Sequence, residues 1–288
     1  MKVTIGVDPE FFLKDKKTGK NISAHDLIPG SKDKPHKLDD GACQLDGTAV
    51  EFNTAPAASS FEFSYNISSV VGQIRGMIPD KYDFDFSPAI QYDPDYWGKI
   101  PQRCKELGCD PDYDATQYNP EVPRVPKPLP KQYETLRTGA GHIHIGWTKG
   151  ADPLDKSHFW DSKTLAYQMY VLFRMVSPIW DTDDLRPMLY GSGAAFRPKS
   201  YGVEFRSPSN AWMRYPNLWP WIFESSKETF NRLKEGNKVS NHINYNRMAR
   251  SAFRWDGKYT SKMRLEDFNA LAAKINFPQI PADWAEVN

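Results

Sequence analysis

Asp8 and Glu10, Glu51 and Asn53, His142 and His144, and Glu204 and Arg206 are four pairs of polar residues, each two positions apart in a short β-type segment. Successive side chains on a strand point to opposite faces, so the members of each pair share one face. Val7, Val50 with Phe52, Ile143 with Ile145, and Val203 with Phe205 then occupy the other face. Each segment is expected to bury an apolar side and display carboxylates, imidazoles or a guanidinium on the other. Those groups bind metal ions and anions.

Electrostatics gives the pattern its meaning. Two carboxylates 4 Å apart repel by about 1 kcal/mol in water and about 4 kcal/mol at an effective dielectric near 20. A sheet face gathering Asp8, Glu10, Glu51 and Glu204 is therefore unfavourable when enclosed, unless cations compensate it. Hard divalent cations such as Mg²⁺ take oxygen ligands and bridge to phosphates. The plainer alternative is that the strands lie apart, with ordinary solvated charges on half-exposed faces.

The elements that must position these residues follow from periodicity. Residues 3–14, 44–53, 141–147, 194–197 and 201–206 read as strands. Helices are expected over 61–77, where Phe61, Tyr65, Val70, Ile74 and Met77 give the apolar spacing, and over 159–176, 218–235, 241–253 and 265–275. The aromatic residues around Tyr167–Phe173 and Trp219–Trp221 read as core. Residues 22–41 read as loop. Residues 80–136 read as a Pro-rich loop insertion, with Pro120, Pro123, Pro126, Pro128 and Pro130 stiffening it. Long loops in compact folds commonly carry function. Strands in groups with helices between and after them predict an α+β fold, an antiparallel sheet backed by helices, with residues 216–288 its helical C-terminal part.

Composition sets outer bounds. The chain has 288 residues, 40% hydrophobic and 14% aromatic, enough for a substantial core. A net charge of +1 offers no global field for nucleic acid, so no nucleic-acid partner is expected. No apolar run reaches membrane-spanning length and the first residues carry no leader pattern, so no membrane partner and a cytoplasmic location are expected. Cys43, Cys104 and Cys109 read as reduced thiols; Cys104 and Cys109 lack the second pair a zinc site needs. The GxxxxGK[ST] loop of Walker-type nucleotide sites is absent from the sequence.

The order Asp8-Pro9-Glu10, Glu51-Phe52-Asn53, Gly141-His142-Ile143-His144 and Glu204-Phe205-Arg206 resembles the carboxylate–amine ligases (amidoligases) encoded by tailed phages, within the glutamine-synthetase-like superfamily. The matching stretches are 6–12, 46–56, 137–146, 189–198 and 201–212. The first strand departs from many members in carrying Asp8 where they have glutamate. The resemblance implies one domain over 1–288, whose antiparallel sheet curves into an active-site funnel with ATP at one end and the acceptor carboxylate at the other. It implies Asp8, Glu10, Glu51, His142 and Glu204 as metal ligands, with Mg²⁺ or Mn²⁺ as the ion. It implies Arg206 and Arg197 as catalytic contacts to the transferred phosphate. Arg137, His144 and Asn53 are candidates for substrate binding. Implied partners are small-molecule or peptide carboxylates and amines, in the host cytoplasm for a phage-encoded protein, with oligomerisation open.

The implied chemistry is ATP-dependent amide or peptide bond formation through an acyl phosphate. Two alternatives stand beside it. One is a metal-dependent hydrolase using the His142-x-His144 pair. The other is a non-catalytic phage structural protein that retains a ligase fold.

Overall fold

The computed structural model describes residues 2–106, 112–119, 121–124, 131–191, 193–242 and 264–286. Its first strand, β1 (Thr4–Asp15), runs 12 residues and alternates apolar and polar side chains along its first half. Short strands β2 (Asn21–Ile22) and β3 (His36–Leu38) follow within the stretch expected as loop. Then come β4 (Gly41–Asp46), β5 (Ala49–Thr54) and helix α1 (Ser60–Met77). The Ser59 side chain caps α1 by accepting from the Glu62 amide, and Glu62 accepts in turn from the Ala58 amide.

The Pro-rich stretch holds more regular structure than its composition suggests: β6 (Tyr82–Asp85), β7 (Ala89–Gln91), α2 (Pro94–Lys99), β8 (Tyr113–Asp114) and β9 (Leu136–Thr138). After it come β10 (Gly141–Gly146), α3 (Lys156–Val176), α4 (Arg186–Leu189), β11 (Ala195–Lys199) and β12 (Gly202–Phe205). The chain continues through α5 (Trp219–Lys234), α6 (Val239–His242) and α7 (Leu265–Lys274). Most of the helix expected over 241–253, and Cys109, lie outside the described residues.

Ten strands form one sheet with the path β3-β4-β5-β1-β10-β12-β11-β8, and β2 and β6 pair with β1. All described pairings in it are antiparallel. The curved funnel implied by the family resemblance is not what forms. The path ends in β3 and β8, which do not pair with each other, so the sheet is open. Closure requires long, sheared end strands to meet, whereas these ends have three and two residues.

One face of the sheet is apolar. Ile5, Val7, Phe11, Val50, Phe52, Ile143, Ile145, Phe196, Val203 and Phe205 are all buried there. Helices α1, α3 and α5 cover it, with Phe173 of α3 edge-on to Phe205 and Phe63 of α1 against Phe223 of α5. Trp219, Trp221 and Phe173 belong to this core, as their spacing predicts. Helix α1 differs in phase from expectation. Its buried stripe is Phe63, Ile67, Val70 and Ile74, while Phe61 and Tyr65 are exposed. Aromatic identity misplaced the stripe; the spacing of 63, 67, 70 and 74 is the one that faces the sheet.

The other face is polar near its centre and carries a small second core at one end. Phe12, on the same side as Asp8 and Glu10, joins Ile90, Tyr92, Trp97, Ile100 and Cys104. Part of the Pro-rich stretch is thereby laid across the face that displays the ionisable residues.

Candidate metal centre

Strand pairing converts four local patterns into one cluster. Asp8 lies opposite His142 across β1 and β10. One row further along, Gly6, His144, Glu204 and Arg197 follow one another across β1, β10, β12 and β11. Directly opposed residues share a face, and Arg206 and Lys199, two positions from Glu204 and Arg197, join the same side. Gly202 lets β12 approach closely. Its φ is 153°, and a Cβ there would stand 2.1 Å from the Ile145 carbonyl oxygen.

The contacts are short. His144 Nε2 stands 2.8 Å from Asp8 Oδ1, and His144 Nδ1 is hydrogen-bonded with the Tyr201 hydroxyl. His142 Nδ1 lies 3.3 Å from Asp8 Oδ1 and 3.6 Å from Glu204 Oε1. Glu204 is buried. Arg206 Nη1 donates to its Oε1, Arg197 Nη1 lies 3.5 Å from the same oxygen, and Lys199 Nζ lies 2.9 Å from Oε2. Arg206 also donates to the Tyr190 hydroxyl and places its Nε 3.6 Å from Asp112 Oδ2.

These neighbours set the protonation states. Burial raises the Asp8 carboxyl, but the imidazoles of His144 and His142 outweigh it and hold Asp8 well below the usual carboxylate range. Burial likewise opposes ionisation of Glu204, and Arg206 overrides it, leaving a value of about 2. Burial, reinforced by Arg206, pushes His142 down to about 4. Burial also disfavours the His144 cation, yet Asp8 raises that residue above its ordinary value. At neutral pH the cluster therefore presents two ionised carboxylates and a neutral His142, while Asp8 favours the protonated form of His144, whose proton a bound metal ion would displace.

Asp8, His144 and Glu204 offer ligand atoms that all lie within 4.8 Å of one another, close enough for one cation to touch all three. Beside them, among the described residues, the buried His142 has no hydrogen-bond partner at Nε2 and only the 3.3 Å approach of Asp8 and the 3.6 Å approach of Glu204 at Nδ1. Buried polar atoms are ordinarily partnered, so the residues fit a bound cation. The mixed oxygen and nitrogen set suits Mn²⁺ or Zn²⁺ as well as Mg²⁺. His144, expected as a substrate contact, sits in the triad, and His142, expected as a ligand, borders it.

Glu10 and Glu51 form a second cluster on the same face. They are paired across β1 and β5, and Gln44 on β4 donates to Glu51 at 2.6 Å. Burial and the nearby Asp46 raise Glu10 to about 7, although the Ala140 amide donates to it at 3.1 Å. Burial, followed by Asp8, Glu10 and Asp46, lifts Glu51 well above its ordinary value. Asn53 lies further along β5 and is exposed.

Arg137 stands elsewhere. It lies on β9, which pairs with β7 outside the main sheet, and its guanidinium stacks 4.3 Å from the centre of the Trp97 ring. It donates to the carbonyls of Glu134, Leu136 and Lys105.

Several residues of the site escaped the sequence reading. Lys199 follows Arg197 by two positions, so strand alternation alone could have found it. Asp46 lies at the end of β4, and no spacing in the sequence ties it to Glu10. Tyr190, Tyr201 and Asp112 carry no local signal, because only the folded chain brings them beside Arg206 and His144. Among the described residues, no helix is long and apolar enough to cross a membrane. No protein-family model matches the chain, and no curated protein matches it.

Proposed function

We propose that the chain is a divalent-metal-dependent ligase that uses ATP to join a carboxylate to an amine. The observation that carries this reading is the convergence, on one sheet face, of the Asp8, His144, Glu204 triad with Arg197, Lys199 and Arg206. A metal triad beside three cationic side chains suits a phosphorylated substrate, whose charge both must neutralise. The motif resemblance to phage amidoligases points the same way. The reading needs only the open polar face.

The chemistry divides into two displacements. A carboxylate oxygen attacks the γ-phosphorus of ATP, forming an acyl phosphate and releasing ADP. The amine nitrogen then attacks the acyl carbon, the carbon–oxygen bond to phosphate breaks, and the nitrogen loses a proton. Asp8, His144 and Glu204 would hold the cation, Mg²⁺ or Mn²⁺, which supplies charge neutralisation at the phosphoryl oxygens. Arg206, anchored by Tyr190 and Asp112, presents a fixed guanidinium for the transferring group, and Arg197 stands beside it. The apolar cluster around Phe12 and Trp97 shields one end of the face from water.

Thermal unfolding with Mn²⁺ plus ATP, or Mg²⁺ plus ATP, tests the proposal. A ligand at a hundred times its dissociation constant adds about 2.7 kcal/mol of stability. The expected result is a metal-dependent rise in the midpoint for wild type, lost in Asp8→Asn, with phosphate release when carboxylate and amine pools are supplied. The imidazole in the triad also favours a metal-dependent hydrolase. Zinc retained through purification with no response to any nucleotide would select that reading. Neither metal nor nucleotide binding would leave a structural protein.

A further inference from the structure

Three cationic side chains share the Glu204 carboxylate. Oε1 meets Arg206 and Arg197, and Oε2 meets Lys199. The same carboxylate belongs to the set that can hold a metal ion. A divalent ion bonded there would bring two further positive charges beside these side chains, where burial strengthens repulsion. The least firmly held of the three gives way first. The Arg206 side chain is 5% exposed and is also held by Tyr190. Arg197 is 17% exposed, and Lys199 is 35% exposed. An ammonium on a flexible four-carbon stem moves at less cost than a packed guanidinium.

We infer that Lys199 competes with the divalent cation for Glu204 and, once displaced, binds an oxygen of the polyphosphate that arrives with the cation. Lys199 lies on β11 two positions from Arg197, on the same face, so its ammonium stays within reach of an anion held there. The inference rests on the metal-dependent phosphoryl-transfer reading above, and it predicts opposite effects of one substitution. Removing the ammonium should favour the cation alone and disfavour polyphosphate on the cation-loaded protein. A purely structural lysine would weaken both when removed. A lysine that only bound phosphate would leave the cation's affinity unchanged.

Titration calorimetry on the full chain distinguishes these cases. Mn²⁺ is titrated into wild type, Lys199→Met and Lys199→Arg, and inorganic tripolyphosphate is then titrated into each Mn²⁺-loaded protein. Lys199→Met should bind Mn²⁺ roughly fivefold tighter or more, because a competing charge is gone. It should bind tripolyphosphate about tenfold more weakly, having lost a charge-assisted hydrogen bond. Lys199→Arg, which keeps the charge, should show no gain in Mn²⁺ affinity. Mn²⁺ affinity that is unchanged or lower in Lys199→Met, or tripolyphosphate affinity unchanged in it, would overturn the inference while leaving the metal centre standing. Wild type that fails to bind Mn²⁺ would overturn the metal centre, and the inference with it.

Discussion

Glu10 and Glu51 lie directly opposite each other on β1 and β5, two half-buried carboxyls on the face that also carries Asp8. Like charges directly opposed across a sheet are destabilising. Burial first, and the neighbouring carboxylates second, raise both groups above the ordinary carboxyl value. The folded protein thus retains protons that the unfolded chain releases near pH 4. Stability linked to this pair is full below that value and falls as pH rises through about 7, the value Glu10 reaches. His142, held down at about 4, acts in the opposite sense over part of the range. The prediction is therefore a difference. Glu51→Gln should unfold at a higher temperature than wild type at pH 8, by ~2–4 °C for a gain on the order of 1 kcal/mol. Near pH 4 the two should coincide. Calorimetric midpoints across that range check it, and a constant offset at all pH values would count against it.

Replacing Glu204 should cost stability as well as metal binding. Glu204→Gln leaves Arg206, Arg197 and Lys199 facing one another without their shared carboxylate. Breaking a buried ion pair on one side costs about 3–5 kcal/mol. Urea unfolding should show a lowered midpoint with an unchanged slope. A variant as stable as wild type would mean that solvent or the neighbouring acids compensate the cations.

Arg137→Ala should separate architecture from ligand binding. Its guanidinium donates to three backbone carbonyls and stacks on Trp97. Losing these should cost about 2–4 kcal/mol, since buried acceptors are left unpaired. Mn²⁺ affinity, measured below the unfolding transition, should stay at the wild-type value. A loss of ligand affinity without loss of stability would instead make Arg137 a substrate contact.

Asp85 secures the first strand to the covering segment. It accepts from the Ser87 amide at 3.0 Å and from Asn21 Nδ2 at 2.8 Å, and pairs with Lys14 at 3.0 Å. Burial raises its carboxyl, but Ser87, Asn21 and Lys14 together hold it below the ordinary value. A depressed acid stabilises the fold above the unfolded value near pH 4, and that contribution is lost as pH falls through the folded value. Asp85→Ala should cost about 1–3 kcal/mol at pH 7. The penalty should shrink on acidification, as a pH series of unfolding midpoints would show. A penalty that grew on acidification would reverse the assignment.

Much of the site was legible because strand alternation is a local rule. Asp8 with Glu10, and Glu204 with Arg206, could be set on one face from their spacing, and the pairings of β1 with β10 and β5, of β10 with β12, and the Arg206–Glu204 contact place them there. Which strand lies beside which is not local. The row His144, Glu204, Arg197 depends on β12 lying between β10 and β11, which no single segment encodes. Tyr190 and Asp112 reach Arg206 from a helix end and from the Pro-rich stretch, so their roles had no periodic signature. The expected funnel failed for a related reason. Closure is decided at the outermost strands, and β3 and β8 are too short to carry a sequence pattern. The phase of α1 misled because Phe61 and Tyr65 are apolar in type yet exposed.

The long first strand also dictates a timetable. Glu10 accepts from Ala140, a partner 130 positions away, and Asn210 reaches the Glu10 carbonyl across 200 positions. At ribosomal rates of about 5–20 residues per second, β1 waits on the order of 10 s before β10 is synthesised. During that interval the edge of β1 that β10 will cover is open to other strands. Such distant pairings also make folding slow. Asp8 and Glu10 interrupt the apolar run of β1 with charge, which discourages edge-to-edge association in the meantime. Asp8, an acid of the candidate metal centre, and Glu10 beside it would thus first act as guards of the growing chain.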